Sequence, residues 1–158
     1  MDKVRFFTVL LLALVGIFII DQNIKRLFLE GYRYYGECID LTLVFNKGVA
    51  FSMFAFLEEK LKYIQLLFVL GVFGYLFYLR KLCYALPGGI LLGAALSNIY
   101  DRFVHGGVVD MVYWHCGFDF AVFNFADVMI DVAVAWFLLL HFKPRLCKVE
   151  EATRQSGS

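Results

Sequence analysis

Four apolar stretches, each close to the length needed to cross a bilayer, constrain this chain more than any other feature of its sequence. They run from about Phe6 to Ile20, from Leu61 to Leu79, from Leu86 to about Tyr100 and from about Val128 to Phe142, against a requirement of roughly 20 apolar residues to traverse the hydrocarbon core. The composition agrees: 61% of the 158 residues are hydrophobic and 18% are charged, with a mean hydropathy of +0.72, beyond the apolar share of a soluble domain. The chain therefore reads as an α-helical integral membrane protein. Lys3 and Arg5 precede the first stretch as they would a secretory leader, but it ends in "DQNIKRLF" with no small-residue cleavage site and reads as a retained span.

Lysine and arginine set the expected orientation. With both termini cytoplasmic, that side carries eight basic residues (Lys3, Arg5, Arg80, Lys81, Lys143, Arg145, Lys148 and Arg154) against Asp2, Glu150 and Glu151, and the other side carries seven basic and eleven acidic residues. The net charge is only +1 and no basic run is present, which argues against a nucleic-acid partner. In this topology Cys38 and Cys116 lie outside and Cys83 and Cys147 inside. An outer Cys38–Cys116 disulfide and two unrelated thiols are equally compatible with the spacing. No pair of cysteines has zinc-site spacing, and no cofactor motif is present.

Residues 1–148 read as a single membrane-embedded domain, followed by a polar tail over 149–158. Between the first two spans, Ile39, Leu41, Leu43 and Phe45 alternate with Asp40, Thr42 and Val44, the period of a strand with one apolar face. A small sheet outside the membrane is expected there, bent at Asn46 to Gly48. In the third span Gly89, Gly93 and Ser97 recur every four residues, a spacing that lets helix backbones approach closely in lipid.

Polar residues gather at the outer ends of the spans: Asp21, Lys25, Asn98, Asp101, Arg102, Asp110, Asn124, Asp127 and Asp131. A carboxylate in hydrocarbon costs roughly 3 kcal/mol on insertion scales, so such groups face a bundle interior or a wet cavity. Local explanations exist for several. Asp21 and Lys25 have the favourable i,i+4 order for a helical ion pair. Asn124 suits an N-cap, and Asp127, taken alone, reads as a helix-start acid. Asp131 lies about 6 Å deeper on the same helical face and reads as a buried, protonated or paired carboxyl. His105, His115 and His141 show no ligand spacing and read as ordinary loop or interface histidines.

"GGVVDMVYW" followed by "FNFAD" raises the aspartates above these local roles. Two acids on separate elements at one membrane depth can share a proton, because desolvation and like charge push their pKa values apart. One then activates a water while the other polarises a peptide carbonyl and protonates the leaving amine. A small transporter or channel subunit, with the acids as an ion or proton site, is the alternative, and a structural subunit assembling through Gly89 and Gly93 is a third.

Taken in order, the motifs resemble those of the bacterial lipoprotein signal peptidases, or signal peptidase II, from about Asp21 to Val134. "DQNIK" resembles D-Q-x-x-K, "FNKGVAFS" resembles N-x-G-x-A-F-S, "LGAALSNIYDRFVHGGVVDM" is similar to the G-G-A-x-G-N-x-x-D-R-x-x-x-G-x-V-V-D-F signature, and "FNFAD" matches F-N-x-A-D. The resemblance implies an aspartic endopeptidase that removes the signal peptide from diacylglyceryl-modified prolipoproteins before the lipidated cysteine. By motif position the catalytic pair is Asp110 and Asp127. Asp21, Lys25, Asn46, Gly48, Asn98, Asp101, Arg102, Asn124 and Ala126 support the site or bind substrate. The implied fold is four transmembrane helices with a small β-cradle and a periplasmic helix. The implied setting is the bacterial inner membrane, with the site on the periplasmic side, membrane lipid around it and the cyclic peptide globomycin as inhibitor. Three positions depart from the pattern: Ser97 replaces a glycine, Met111 replaces a phenylalanine, and Asp131 is an added acid. The aromatic loop around Tyr113, Trp114 and Phe118, together with the stretch from Phe45 to Phe54, is expected to wall the site.

Overall fold

A computed structural model of the chain describes residues 2–48 and 58–147. In chain order the elements are α1 (Asp2–Leu29), β1 (Tyr34–Tyr35), β2 (Ile39–Asn46), α2 (Glu58–Leu79), a 3-10 turn (Leu82–Tyr84), α3 (Ala85–Val104), β3 (Val108–Trp114) and α4 (Phe125–Phe142). Four of these helical segments are long and apolar enough to cross a membrane, matching the four stretches in the sequence.

The helices overrun the apolar stretches at their polar ends. The first was expected to end at Ile20, yet α1 continues to Leu29, because Asp21 and Lys25 continue the helix and turn their charge inward. Similarly α4 starts at Phe125 rather than Val128, since Asn124 caps it.

Helix α3 is central. In its most apolar window 61% of residues are buried, against 17% in each of the other three spans, and it packs against α1, α2 and α4. Lipid tails are as apolar as leucine, so close packing must drive helix association. Phe6, Leu10, Val69, Leu76, Leu92 and Ile99 form the bundle core, while Leu12, Leu67 and Leu138 point outward, as lipid-facing residues do. The small-residue face of α3 acts as expected: a Cβ on Gly89 would collide with the Leu10 carbonyl, and one on Gly93 with that of Leu14.

The sheet is antiparallel in the order β1-β2-β3. Asn46 pairs with Val108, Val44 with Asp110 and Ile39 with Trp114, with a register shift between Leu41 and Val44. The turn from α3 into β3 passes through Gly106 at φ +72°, a conformation glycine adopts without steric cost. Val109 and Met111 on β3 pack with Phe28 of α1, so the sheet sits on the C-terminal end of that helix. Met111 is 2% exposed and fills this cluster in place of the usual phenylalanine. The extra helix implied by the resemblance is not among the elements of the described residues.

Both cysteine pairings are disulfides, Cys38–Cys116 and Cys83–Cys147. The first ties the start of β2 to the segment after β3, and the second ties the turn before α3 to the segment after α4.

Candidate active site

Strand β3 delivers Asp110. Its neighbours Val109 and Met111 point into the small core with Phe28, so the alternation of a strand sends Asp110 to the other face. There its carboxylate accepts hydrogen bonds from Asn46 Nδ2 at 3.0 Å and from Asn124 Nδ2 at 2.7 Å. Asp110 is 1% exposed. Burial first, and then the charge of Asp127, raise its pKa from 3.8 to about 7, against the opposing pull of the two asparagine donors.

Asp127 arrives by helix capping. The Asn124 side chain accepts from the Asp127 N–H at 2.9 Å, and the Asp127 carboxylate accepts from the Asn124 N–H at 3.1 Å, a reciprocal capping box. The other carboxylate oxygen accepts from Asn98 Nδ2 at 2.9 Å. Asn124 thus contacts both aspartates.

Behind the pair lies a buried polar network that holds the remaining expected residues. Lys25 Nζ lies 2.6 Å from both Asp21 and Asp101, and donates to Asn98 Oδ1 at 2.8 Å. Asp21 accepts from the Ala126 N–H at 2.9 Å and from Ser97 Oγ at 2.6 Å. Asp101 accepts from the Val109 N–H at 3.1 Å. The Arg102 guanidinium donates to the carbonyls of Lys47 and Gly48, and the Gly48 N–H donates to Asn46 Oδ1 at 3.0 Å. The Asp21–Lys25 ion pair expected from spacing is present, but it is buried and shared with Asp101. Ser97 does more than allow close packing, since Gln22 also donates to it at 2.8 Å.

The pair stands at the head of a cavity of about 610 Å³. Asn46, Asn98 and Arg102 line its polar end, Phe120 and Phe123 form part of its wall, and Gln65 and Asp131 lie along its lower part. Two expectations are corrected here. Asp131 is exposed rather than buried, because its position on α4 borders the cavity. Trp114 and Phe118 are also exposed and do not line the cavity; the aromatic wall comes later in the same loop, where Phe123 bonds back to Val112 and turns the chain inward. The part of the expected wall beyond Gly48 lies outside the described residues. His115 sits 3.3 Å from Asp40 and His105 stacks near Phe45, ordinary loop contacts. Gln65 was not singled out from the sequence, although one amide inside an otherwise apolar span is a readable signal.

A four-helix membrane bundle with one buried and one half-buried carboxylate, both hydrogen-bonded, at the head of a cavity has the frame of an aspartic-type membrane peptidase. Residues 13–143 match the family described as Signal peptidase (SPase) II, Peptidase_A8. The chain is 76% identical over 145 residues to the "Lipoprotein signal peptidase" of Sulfurimonas denitrificans, covering 92% of this chain and 95% of that one. It is 63% identical to the protein of the same name from Sulfurovum sp., covering 86% and 94%. Its fold is similar to that of a solved structure titled "Bacterial membrane enzyme structure by the in meso method at 2.3 A resolution", with a TM-score of 0.73, 23% identity, and coverage of 85% of this chain and 87% of that one. The chain belongs to the signal peptidase II family of aspartic peptidases.

Proposed function

We propose that Asp110 and Asp127 are the catalytic pair that removes the signal peptide from diacylglyceryl-modified prolipoproteins, cutting before the lipidated cysteine. The observation that carries this reading is the bridging of the two carboxylates, from β3 and α4, by one asparagine at the head of a cavity. Asp110, held protonated up to about pH 7, donates to the scissile carbonyl. Asp127 takes a proton from the attacking water, and the leaving amine is protonated as the tetrahedral intermediate collapses. Asn46, Asn98 and Asn124 fix the carboxylate orientations, so little reorganisation is needed during reaction. The Lys25, Asp21 and Asp101 network holds Asn98 and the start of α4 in place.

In this reading residues 1–148 are one peptidase domain in the bacterial inner membrane, with both termini cytoplasmic and the site at the periplasmic surface. The signal helix enters from the bilayer while its acyl chains stay in lipid. Globomycin, a cyclic peptide, competes for the same cavity.

The test is cleavage of a purified diacylglyceryl-modified prolipoprotein by wild type, Asp110→Asn, Asp127→Asn and Asp131→Asn, each checked for folding. Loss of cleavage in the first two variants but not the third supports the assignment, and normal cleavage by either of the first two refutes it.

A further inference from the structure

The cavity continues past the two carboxylates into the bundle. Its lower walls are apolar, with Phe68 and Val69 of α2, Leu91 and Ala95 of α3, and Val128 and Ile130 of α4. Two polar side chains interrupt them: Gln65 on α2 and Asp131 on α4. Among the described residues, Gln65 Oε1 is buried with no hydrogen-bond partner, and Asp131 makes no hydrogen bond or ion pair. Gln65 lies five residues inside the span that begins at Lys60, about 8 Å along the helix at ~1.5 Å per residue. Asp131, four residues beyond Asp127, is about 6 Å deeper than that carboxylate.

A buried unpaired acceptor costs free energy unless something bound supplies its donor. What must bind here is a peptide, and a peptidase can cut it only where it is unwound. Unwinding in a water-poor cavity strips backbone N–H groups of their helical partners, and each one left unpaired in hydrocarbon is costly. An extended chain advances about 3.3 Å per residue, so a span of ~6 Å corresponds to the second residue before the scissile bond. Successive N–H groups of an extended chain point to opposite edges, and the two acceptors stand on two different walls.

We propose that Gln65 and Asp131 form a backbone-binding subsite, whose side-chain oxygens accept hydrogen bonds from the peptide N–H groups of the second and third residues ahead of the scissile bond. This rests on the reading of the cavity as a signal-peptide site. The two residues are substrate-binding groups that hold the unwound segment extended; they take no part in proton transfer. The subsite recognises the peptide backbone, so it tolerates varied side chains at those positions.

The experiment uses synthetic lipidated substrate peptides in which the amide of the second or the third residue before the scissile bond is replaced by an ester, which deletes one N–H and keeps the carbonyl. Cleavage is followed with wild type, Asp131→Leu, Asp131→Asn and Gln65→Leu, in bilayer mimics, with thermal unfolding of each variant. An ester at either position is expected to lower wild-type kcat/KM about tenfold, the scale of one hydrogen bond. Asp131→Leu should cost about the same on the all-amide peptide and then be indifferent to one of the two esters. Gln65→Leu should be indifferent to the other. Asp131→Asn keeps an acceptor oxygen and should keep its ester sensitivity. Losses that multiply in every variant, or esters that cost the wild type nothing, would overturn the subsite while leaving the peptidase reading intact. A well-folded wild type that cleaves no peptide would overturn both.

Discussion

Replacing Asn46 with alanine should extend activity to higher pH, because Asn46 holds down the pKa of Asp110. The Asp110 carboxyl is raised from 3.8 to about 7 by burial and by the Asp127 charge, and the donors Asn46 and Asn124 oppose that rise. A hydrogen bond to a charged group is worth about 1.5 to 3 kcal/mol. At ~1.36 kcal/mol per pH unit, removing the 3.0 Å bond from Asn46 would shift Asp110 by one to two units. Asn46 lines the cavity, so water entering the vacated space recovers part of that bond, and the lower figure of about one unit is expected. The sign follows from the form stabilised: the donor favours the carboxylate, so its loss favours the protonated acid, the form required to donate to the scissile carbonyl. The basic limb of kcat/KM against pH should therefore move from about 7 to about 8, read as an apparent value of the coupled pair. The assay is cleavage of a lipidated peptide between about pH 5 and 10, with the unfolding midpoint followed across the same range. A basic limb that stays in place, or that moves to lower pH, would refute the assignment of Asp110 as the proton donor.

Three further outcomes follow from the same geometry. Lys25→Met removes the only cation within ion-pair distance of Asp21 and Asp101 among the described residues, and breaking a buried pair costs about 3 to 5 kcal/mol; a marked fall in unfolding temperature in detergent would show it. Gly93→Leu forces α1 away from α3 at the Leu14 carbonyl, with an expected loss of at least the 1 to 3 kcal/mol typical of overpacking, while Gly16→Leu, on an open surface, should leave thermal stability nearly unchanged. Folded-state stability should also fall as pH rises from about 4 to about 7, since the native state holds the Asp110 proton over that interval and the unfolded chain does not. The full effect approaches 4 kcal/mol, three units at ~1.36 kcal/mol each, and Asp110→Asn should flatten the dependence.

Much of the architecture was legible because membranes reduce the choices. Apolar length alone located the spans, and the i,i+4 placement of Gly89 and Gly93 located the face that α1 packs on. Local chemistry was also readable: the Asn124–Asp127 capping box follows from an asparagine placed three residues before an acid. Long-range pairing was less accessible. Asp110 rides on a strand whose partner, β2, lies more than sixty residues earlier, and period-2 alternation over "VVDMVYW" is obscured because both faces of that strand are covered. The continuation of α1 past Ile20 was hidden for a related reason, since charge ordinarily marks the end of a span and here it is turned inward against α3. The Cys83–Cys147 bond joins segments 64 residues apart, a proximity that only the packed bundle creates.

The polar network also explains why so many groups surround the two carboxylates proposed to carry the reaction. Helix α1 contributes neither aspartate of the pair, yet it controls both elements that do. Asp21 accepts from the N–H of Ala126 beside Asp127, and Lys25 holds Asp101, which in turn accepts from the N–H of Val109 beside Asp110. Each aspartate of the pair is therefore fixed through its chain neighbour by a carboxylate, and a single lysine neutralises both of those carboxylates. Direct ion pairing of Asp110 or Asp127 with Lys25 would have fixed their positions as well, but it would have stabilised their charged forms and removed the proton the reaction uses. Asparagine side chains meet the aspartates instead, orienting them without a full opposing charge. The separation of a charged supporting layer from a neutral amide layer lets the two acids be held rigidly while Asp110 remains able to donate a proton near neutral pH.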